Sequence, residues 1–219
     1  MQGLRLERQR RARRILCLGA HCDDIEIGCG AALLALQSAG PVRVDWAVLS
    51  STPQRHAETR LAMQALMPAA ARGELVAGTF PDGRFPAHYD EIKEFVEALK
   101  KRLPAPDLIF CHEREDRHQD HRLVNELAWN TFRDHMILEY EIPKWDGGLG
   151  QPNVYVPVTA QQAHRKAATL LRAHRSQRAR DWFTRETFLG LMRLRGIECR
   201  APGGYAEAFY GRKLNFTAL

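Results

Sequence analysis

Ile15-Leu16-Cys17-Leu18-Gly19-Ala20-His21-Cys22-Asp23-Asp24-Ile25-Glu26 is the stretch that decides the fold. Its first four residues are wholly apolar, as in a buried strand, and two small residues then lead into an imidazole and three carboxylates packed into six positions. Charged groups are almost never buried unless they are paired or bound to a metal, so packing alone does not account for this cluster. A second apolar run, Leu108-Ile109-Phe110-Cys111, precedes Asp116-Arg117-His118-Gln119-Asp120-His121. Two His/Asp clusters at the exits of two predicted strands point to one metal site assembled from both.

Outward from these stretches, short apolar runs alternate with amphipathic ones, the pattern of a parallel sheet covered by helices. Strands are predicted over residues 14–20, 42–49, 74–76, 108–111, 136–142 and 154–158. Helices are predicted over 26–38, 54–66, 89–103, from about 120 onward, and over 160–173 and 180–194. The expected fold is α/β, a single Rossmann-like domain over residues 1–219 with a mostly parallel sheet and helices on both faces. The first and fourth strands would be neighbours where strand order reverses, and ligands of open α/β sheets bind at the carboxyl ends of strands at that point.

Composition is that of an ordinary globular chain, with 45% apolar and 26% charged residues among 219. Residues 1–14 carry six arginines and one glutamate, so a basic N-terminal arm (1–13 and the next residue) holds +5 of the net +6. The remainder is nearly neutral, so no nucleic-acid partner is expected. No stretch is apolar for the roughly 20 residues of a membrane span, and the N-terminus makes a poor signal peptide. Five cysteines without a C-x-x-C pair fit reduced usage, and a cytoplasmic location is expected. The reading is compatible with a homo-oligomer.

A catalytic zinc takes three protein ligands and keeps one position open for water. His21 and Asp24, three apart at a strand-to-helix turn, can converge on one point, and His121 at the start of the later helix is placed to be the third ligand. Asp23, beside a ligand but pointing differently, is the natural general base. His118 faces the other side, to stabilise an oxyanion or to protonate a leaving amine. Asp120 could hold a nearby imidazole in orientation and tautomer.

These residues resemble a known family. Gly19-Ala20-His21-Cys22-Asp23-Asp24-Ile25-Glu26-Ile27-Gly28-Cys29-Gly30 is similar to the Ala-His-Pro-Asp-Asp-x-Glu-x-Gly-x-Gly signature of the PIG-L (LmbE-like) deacetylases, zinc-dependent hydrolases that remove N-acetyl groups from amino sugars. The 116–121 cluster resembles their Asp-x-His-Pro-Asp-His motif. Arg55-His56-Ala57-Glu58, Phe80-Pro81-Asp82-Gly83, His174-Arg175-Ser176-Gln177 and Tyr205-Ala206-Glu207-Ala208-Phe209 look like four lesser motifs, in the same order. The resemblance implies one Zn²⁺ per chain on His21, Asp24 and His121, with Fe²⁺ also compatible, Asp23 as base and His118 at the oxyanion. It further implies that Arg55 and Asp82 contact sugar hydroxyls, and that the substrate is an amino-sugar-containing small molecule or glycoconjugate. Cys22 and Gln119 stand where the family has prolines.

Other readings are weaker. A phosphohydrolase usually needs a second metal or extra cationic clamps, which these acidic clusters do not supply. Two histidines and a carboxylate also suit a non-haem iron oxygenase, but the spare carboxylate Asp23 favours hydrolysis. A non-catalytic sugar- or metal-binding protein would have no need of that base. The nearest alternative substrates are sugar-linked thiol conjugates cleaved by an amidase. Gly28-Cys29-Gly30 lacks the order of a dinucleotide fingerprint, and Asp23-Asp24 would repel a pyrophosphate. Cys22 is expected to turn into the packing, His112 and Glu113 to lie on the loop surface, with His112 alternatively lining the pocket, and Trp129, Trp145 and Trp182 to be core or pocket wall rather than a stacking platform. His174 with Ser176 and Gln177 is expected either to close one wall of the site or to form a polar helix terminus.

Overall fold

Seven strands run β3-β2-β1-β4-β5-β7-β6 across one sheet in the computed structural model, which describes residues 12–214. The strands are β1 (Arg13–Gly19), β2 (Val42–Val48), β3 (Arg72–Ala77), β4 (Leu108–His112), β5 (Ile137–Tyr140), β6 (Val154–Val158) and β7 (Tyr205–Gly211). The first five pair in parallel, whereas β7 runs antiparallel between β5 and β6. Strand order reverses between β1 and β4, which pair through Ile15–Leu108, Leu16–Ile109 and Cys17–Phe110. The ends of β1 and β4 therefore open side by side, as the two His/Asp clusters require.

Side chains alternate across the sheet, as the two-residue period of a strand dictates. Ile15 and Cys17 of β1 enter one core with Val44, Trp46 and Phe110, under α1 (Asp24–Ala39), α2 (Pro53–Leu66), α5 (Ala160–Ala173) and α6 (Arg185–Glu198). Leu16 and Leu18 enter the other, under α3 (Tyr89–Arg102) and α4 (Gln119–Thr131). The α3 helix buries only Ile92, Val96 and Leu99 and turns its lysines and glutamates outward. By contrast α1 is buried at every position from Asp24 to Leu34, so it runs through the centre of its layer.

That central helix contains an unusual insertion. Lys166 of α5 and Glu207 of β7, 3% and 4% exposed, form an ion pair against the side of α1. Lys166 Nζ donates to the Ile27 carbonyl at 2.5 Å, while Glu207 accepts from Ala31 N at 3.2 Å and Ala32 N at 2.6 Å. Ile27 C=O and Ala31 N–H are the two groups that pair with one another in a regular helix. Gly28 answers a second demand. A Cβ there would lie 2.2 Å from the Tyr140 ring, whose hydroxyl donates to Leu18 O at 2.6 Å. Gly28 thus serves the packing of α1 on β5.

Two elements differ from expectation. β7 was not anticipated, because Tyr205-Ala206-Glu207-Ala208-Phe209 breaks the apolar pattern with a carboxylate that proves to be buried in an ion pair. The last helix starts at Arg185 instead of about 180, where the Thr184 hydroxyl accepts from Thr187 N and caps it. The basic arm lies outside the described residues, apart from residues 12–14.

Candidate metal centre

At the end of β1 the chain turns through His21 and Cys22 into α1, with Asp23 at the N-cap. Asp24 folds back so that Oδ2 accepts from His21 N at 2.6 Å, which fixes the turn and aims both side chains at one point. From α4, beyond β4, His121 Nε2 comes within 3.2 Å of His21 Nδ1 and 3.6 Å of Asp24 Oδ1. The ligand-type atoms of His21, Asp24 and His121 all lie within 4.8 Å of one another. All three are deeply set, His21 retaining an 11% exposed side chain.

The far nitrogens of both imidazoles are held by carboxylates. His121 Nδ1 meets Asp116 Oδ2 at 2.8 Å. His21 Nε2 lies 3.2 Å from Asp120 Oδ2 and 3.0 Å from Asp82 Oδ1. With those nitrogens donating outward, His21 Nδ1 and His121 Nε2 turn lone pairs to the same point as the Asp24 carboxylate once both rings are neutral. Two lone pairs and an anion converging in this way call for a cation, and a carboxylate behind each imidazole is how proteins orient metal-ligating histidines. The donor set fits a divalent metal.

The electrostatics follow. Burial opposes charge on His21, but its contacts with Asp120 and Asp24 prevail and raise its pKa well above the usual value. Burial, helped by neighbouring His112, drives His121 down to about 3 despite Asp24 and Asp116. Asp24 resists burial through His121 and His112 and stays well below the ordinary carboxylate range. The hydrogen bond to His21 is the main reason Asp82 falls to about 2.

Asp120 is anchored at the base of α4, where its carboxylate also accepts from Gly83 N at 2.7 Å and Phe85 N at 3.1 Å. It thereby ties the Pro-Asp-Gly turn, in which Gly83 adopts φ +74°, to His21. Gln119 reinforces the tie by donating Nε2 to Gly83 O at 3.0 Å. Asp82 itself is 71% exposed and stands at the mouth. His118 caps α4, its Nδ1 accepting from Asp120 N at 3.2 Å, and lies over His121 with ring centres 4.6 Å apart. Burial, then the charges of Lys144 and His21, lower its pKa.

Asp23 lies beside this group, its Oδ1 taking Arg55 Nη2 at 2.9 Å. Arg55 stands 3.8 Å from Glu58 Oε2, and Glu58 in turn accepts from Ser176 N at 2.9 Å and Oγ at 2.6 Å. The 174–177 stretch thus reaches Asp23 through α2. Behind it His174 Nε2 pairs with Glu26 Oε1 at 2.8 Å, both buried. Cys22 turns away, its Sγ donating to Ser50 O at 3.5 Å, and belongs to none of the ligand groupings.

Two expectations are corrected. His112 is fully buried, not on the loop surface: it stacks on His121 at 3.8 Å, and its Nε2 lies 3.1 Å from Asp24 Oδ2 and 3.0 Å from Ala20 N. Glu113 is 5% exposed because Arg212, arriving from the end of β7, covers it. Trp145, 61% exposed, takes the pocket-wall side of its expectation, edging an open groove with Trp182. The roles of Asp116 and Glu58 were also missed. The available signal was position, since Asp116 lies in the loop leading into α4, just ahead of His121, and Glu58 lies one turn beyond Arg55.

The family model described as PIG-L, GlcNAc-PI de-N-acetylase, matches residues 16–132, a span that includes both His/Asp clusters. The chain belongs to the PIG-L family. A second comparison agrees: an Escherichia coli protein named as an uncharacterized deacetylase, YaiS, is 31% identical over 177 residues, covering 74% of this chain and 90% of that one. Among solved structures, the N,N'-diacetylchitobiose deacetylase of Pyrococcus horikoshii superposes with a TM-score of 0.68 at 21% identity, covering 90% and 83% of the two chains. The Pseudomonas putida hydratase GalB shares the fold at a TM-score of 0.74 and 15% identity over 95% and 99%. At such identities the structures establish the fold alone and leave the reaction to the site.

Proposed function

We propose that this PIG-L protein is a zinc-dependent N-deacetylase acting on an amino-sugar-containing small molecule or glycoconjugate. The observation that carries the reading is the convergence of His21 Nδ1, Asp24 and His121 Nε2, with a carboxylate behind each imidazole and the spare carboxylate Asp23 alongside. His21, Asp24 and His121 would hold the metal. A zinc ion there supplies Lewis-acid polarisation of the acetamide carbonyl and lowers the pKa of a water from 15.7 to about 7.

The protein's own groups complete the reaction. Arg55 occupies Oδ1 of Asp23, leaving Oδ2 to accept a proton from the attacking water. His118 accepts a hydrogen bond at Nδ1, so in its neutral form the proton sits on Nε2, and that N–H is free to donate to the oxygen that becomes negative as the carbonyl is attacked. Cleavage of the C–N bond then yields acetate and an amine, and the proton collected by Asp23 is the one available to the amine nitrogen. Asp82 at the mouth and Arg55 beside the base would meet sugar hydroxyls. Asp120 and Asp116 act through the imidazoles they hold.

The test is a panel of N-acetylhexosamine glycosides, with acetate and free amine measured together. Equal release of the two from at least one glycoside, and little from simple N-acetyl amides, is the expected result. Equal rates on sugars and simple amides would make the protein a general amidase.

A further inference from the structure

His112, the last residue of β4, takes no part in the reaction described above, yet it lies against ligands from both clusters. Its ring stacks on His121, with centres 3.8 Å apart and planes 18° from parallel. Its Nε2 lies 3.0 Å from Ala20 N and 3.1 Å from Asp24 Oδ2. Ala20 and Asp24 are the two ends of the turn that carries His21, and Asp24 Oδ2 also accepts from His21 N. One nitrogen from β4 therefore sits between the start and the end of the first ligand cluster, while the face of the same ring bounds the ligand of the second.

The ring is itself held in place. Asn125 of α4 donates Nδ2 to the His112 carbonyl at 2.7 Å, and the Tyr140 ring, tied through its hydroxyl to Leu18 O, meets the imidazole with centres 4.8 Å apart. His112 is fully buried, and its Nδ1 has no hydrogen-bond partner among the described residues. Buried polar atoms are nearly always paired, so a ring present for packing alone would carry no nitrogen here. What the imidazole offers beyond packing is Nε2, with an N–H on one side and a carboxylate on the other, both from the ligand turn.

We propose that His112 is a positioning residue of the metal centre. Nε2 fixes the ends of the Ala20–Asp24 turn, and the ring face fixes the tilt of His121. This rests on the assignment of His21, Asp24 and His121 as metal ligands. Asp116 sets the direction of His121 Nδ1, but a single hydrogen bond leaves the ring free to tilt about it, and stacking on His112 removes that freedom. Ligands ordered in advance bind more tightly, because less freedom is lost when the cation is taken up.

The experiment compares wild type with two variants. His112→Phe keeps a stacking ring and loses both nitrogens. His112→Gln loses the ring but brings, at about the reach of Nε2, an oxygen for Ala20 N–H and an N–H for Asp24. Each protein is stripped with chelator and titrated with Zn²⁺ against a chromogenic competitor. The visible spectrum of its Co²⁺ form and its melting temperature are recorded alongside. His112→Phe should bind zinc about 10–100-fold more weakly than wild type, with an altered Co²⁺ band, as for other groups that orient metal ligands. His112→Gln should recover most of the affinity and the wild-type band. If His112→Phe does not fold, His112→Met, with the reach of glutamine but without its amide, takes its place. An apolar variant with wild-type affinity and band overturns the proposal, whatever its melting temperature, and so does a glutamine variant that binds no better than the apolar one. A second equivalent of zinc in wild type that is lost in His112→Phe also overturns it, because His112 would then be a ligand with Asp116 and His121. Wild type that takes up neither metal defeats the ligand assignment itself, and this proposal with it.

Discussion

Glu207→Ala should be among the most damaging single changes in this protein, although Glu207 is far in sequence from the metal ligands. The carboxylate accepts from Ala31 N and Ala32 N and pairs with Lys166 Nζ, all inside α1's layer. Removing it leaves an ammonium buried without its counter-ion and two backbone N–H groups without that acceptor. Breaking a buried pair by deleting one partner costs about 3–5 kcal/mol. A chain of this size loses roughly 2–4 °C of Tm per kcal/mol, so the melting temperature should drop by roughly 6–20 °C. Circular dichroism melts of Glu207→Ala, Lys166→Met and the double variant would measure it. The double variant removes both charges together, so its loss should be clearly smaller than the sum of the two singles. Because α1 carries Asp23 and Asp24 at its start, Glu207→Ala should also bind zinc more weakly at temperatures where it is folded. A Tm within about 2 °C of wild type, or strictly additive losses, would refute the reasoning that the pair acts as a unit within α1.

Two further outcomes follow from the geometry. Asp116→Ala should weaken zinc binding by about 10–100-fold while the fold persists, since only the orientation of His121 is lost; competition with a chromogenic chelator reads this directly. Gly28→Ala should destabilise the protein by about 1–3 kcal/mol in denaturant melts, because the new methyl meets the buried Tyr140 ring; an unchanged midpoint would show that the ring can move aside.

The convergence of His21, Asp24 and His121 was legible because the two clusters follow strands that must end side by side. The apolar run 15–18 and its counterpart 108–111 located two neighbouring parallel strands, and the pairing of β1 with β4 brings His21 and His121 together. What stayed hidden were polar residues whose partners are distant in sequence. His112 reads as the first loop residue after a strand, yet His121 and Tyr140 enclose it. Glu207 conceals a strand because a carboxylate in the middle of a short alternating run argues against burial until Lys166, from another helix, is seen beside it. In each case local pattern was overridden by tertiary contact at or behind the site, where such conflicts are expected.

The central claim is that a metal held by His21, Asp24 and His121 works together with Asp23 to hydrolyse an acetamide. The most direct measurement is acetate release from an N-acetylglucosamine glycoside by chelator-treated protein titrated with Zn²⁺, for wild type beside Asp23→Asn. Wild-type activity should be absent after chelation and return in full at about one equivalent of zinc. Asp23→Asn should take up the same equivalent yet remain about 10²–10⁴-fold slower, the contribution of a general base. Full activity after complete chelation, or an Asp23→Asn enzyme within a few-fold of wild type when loaded, would contradict the account.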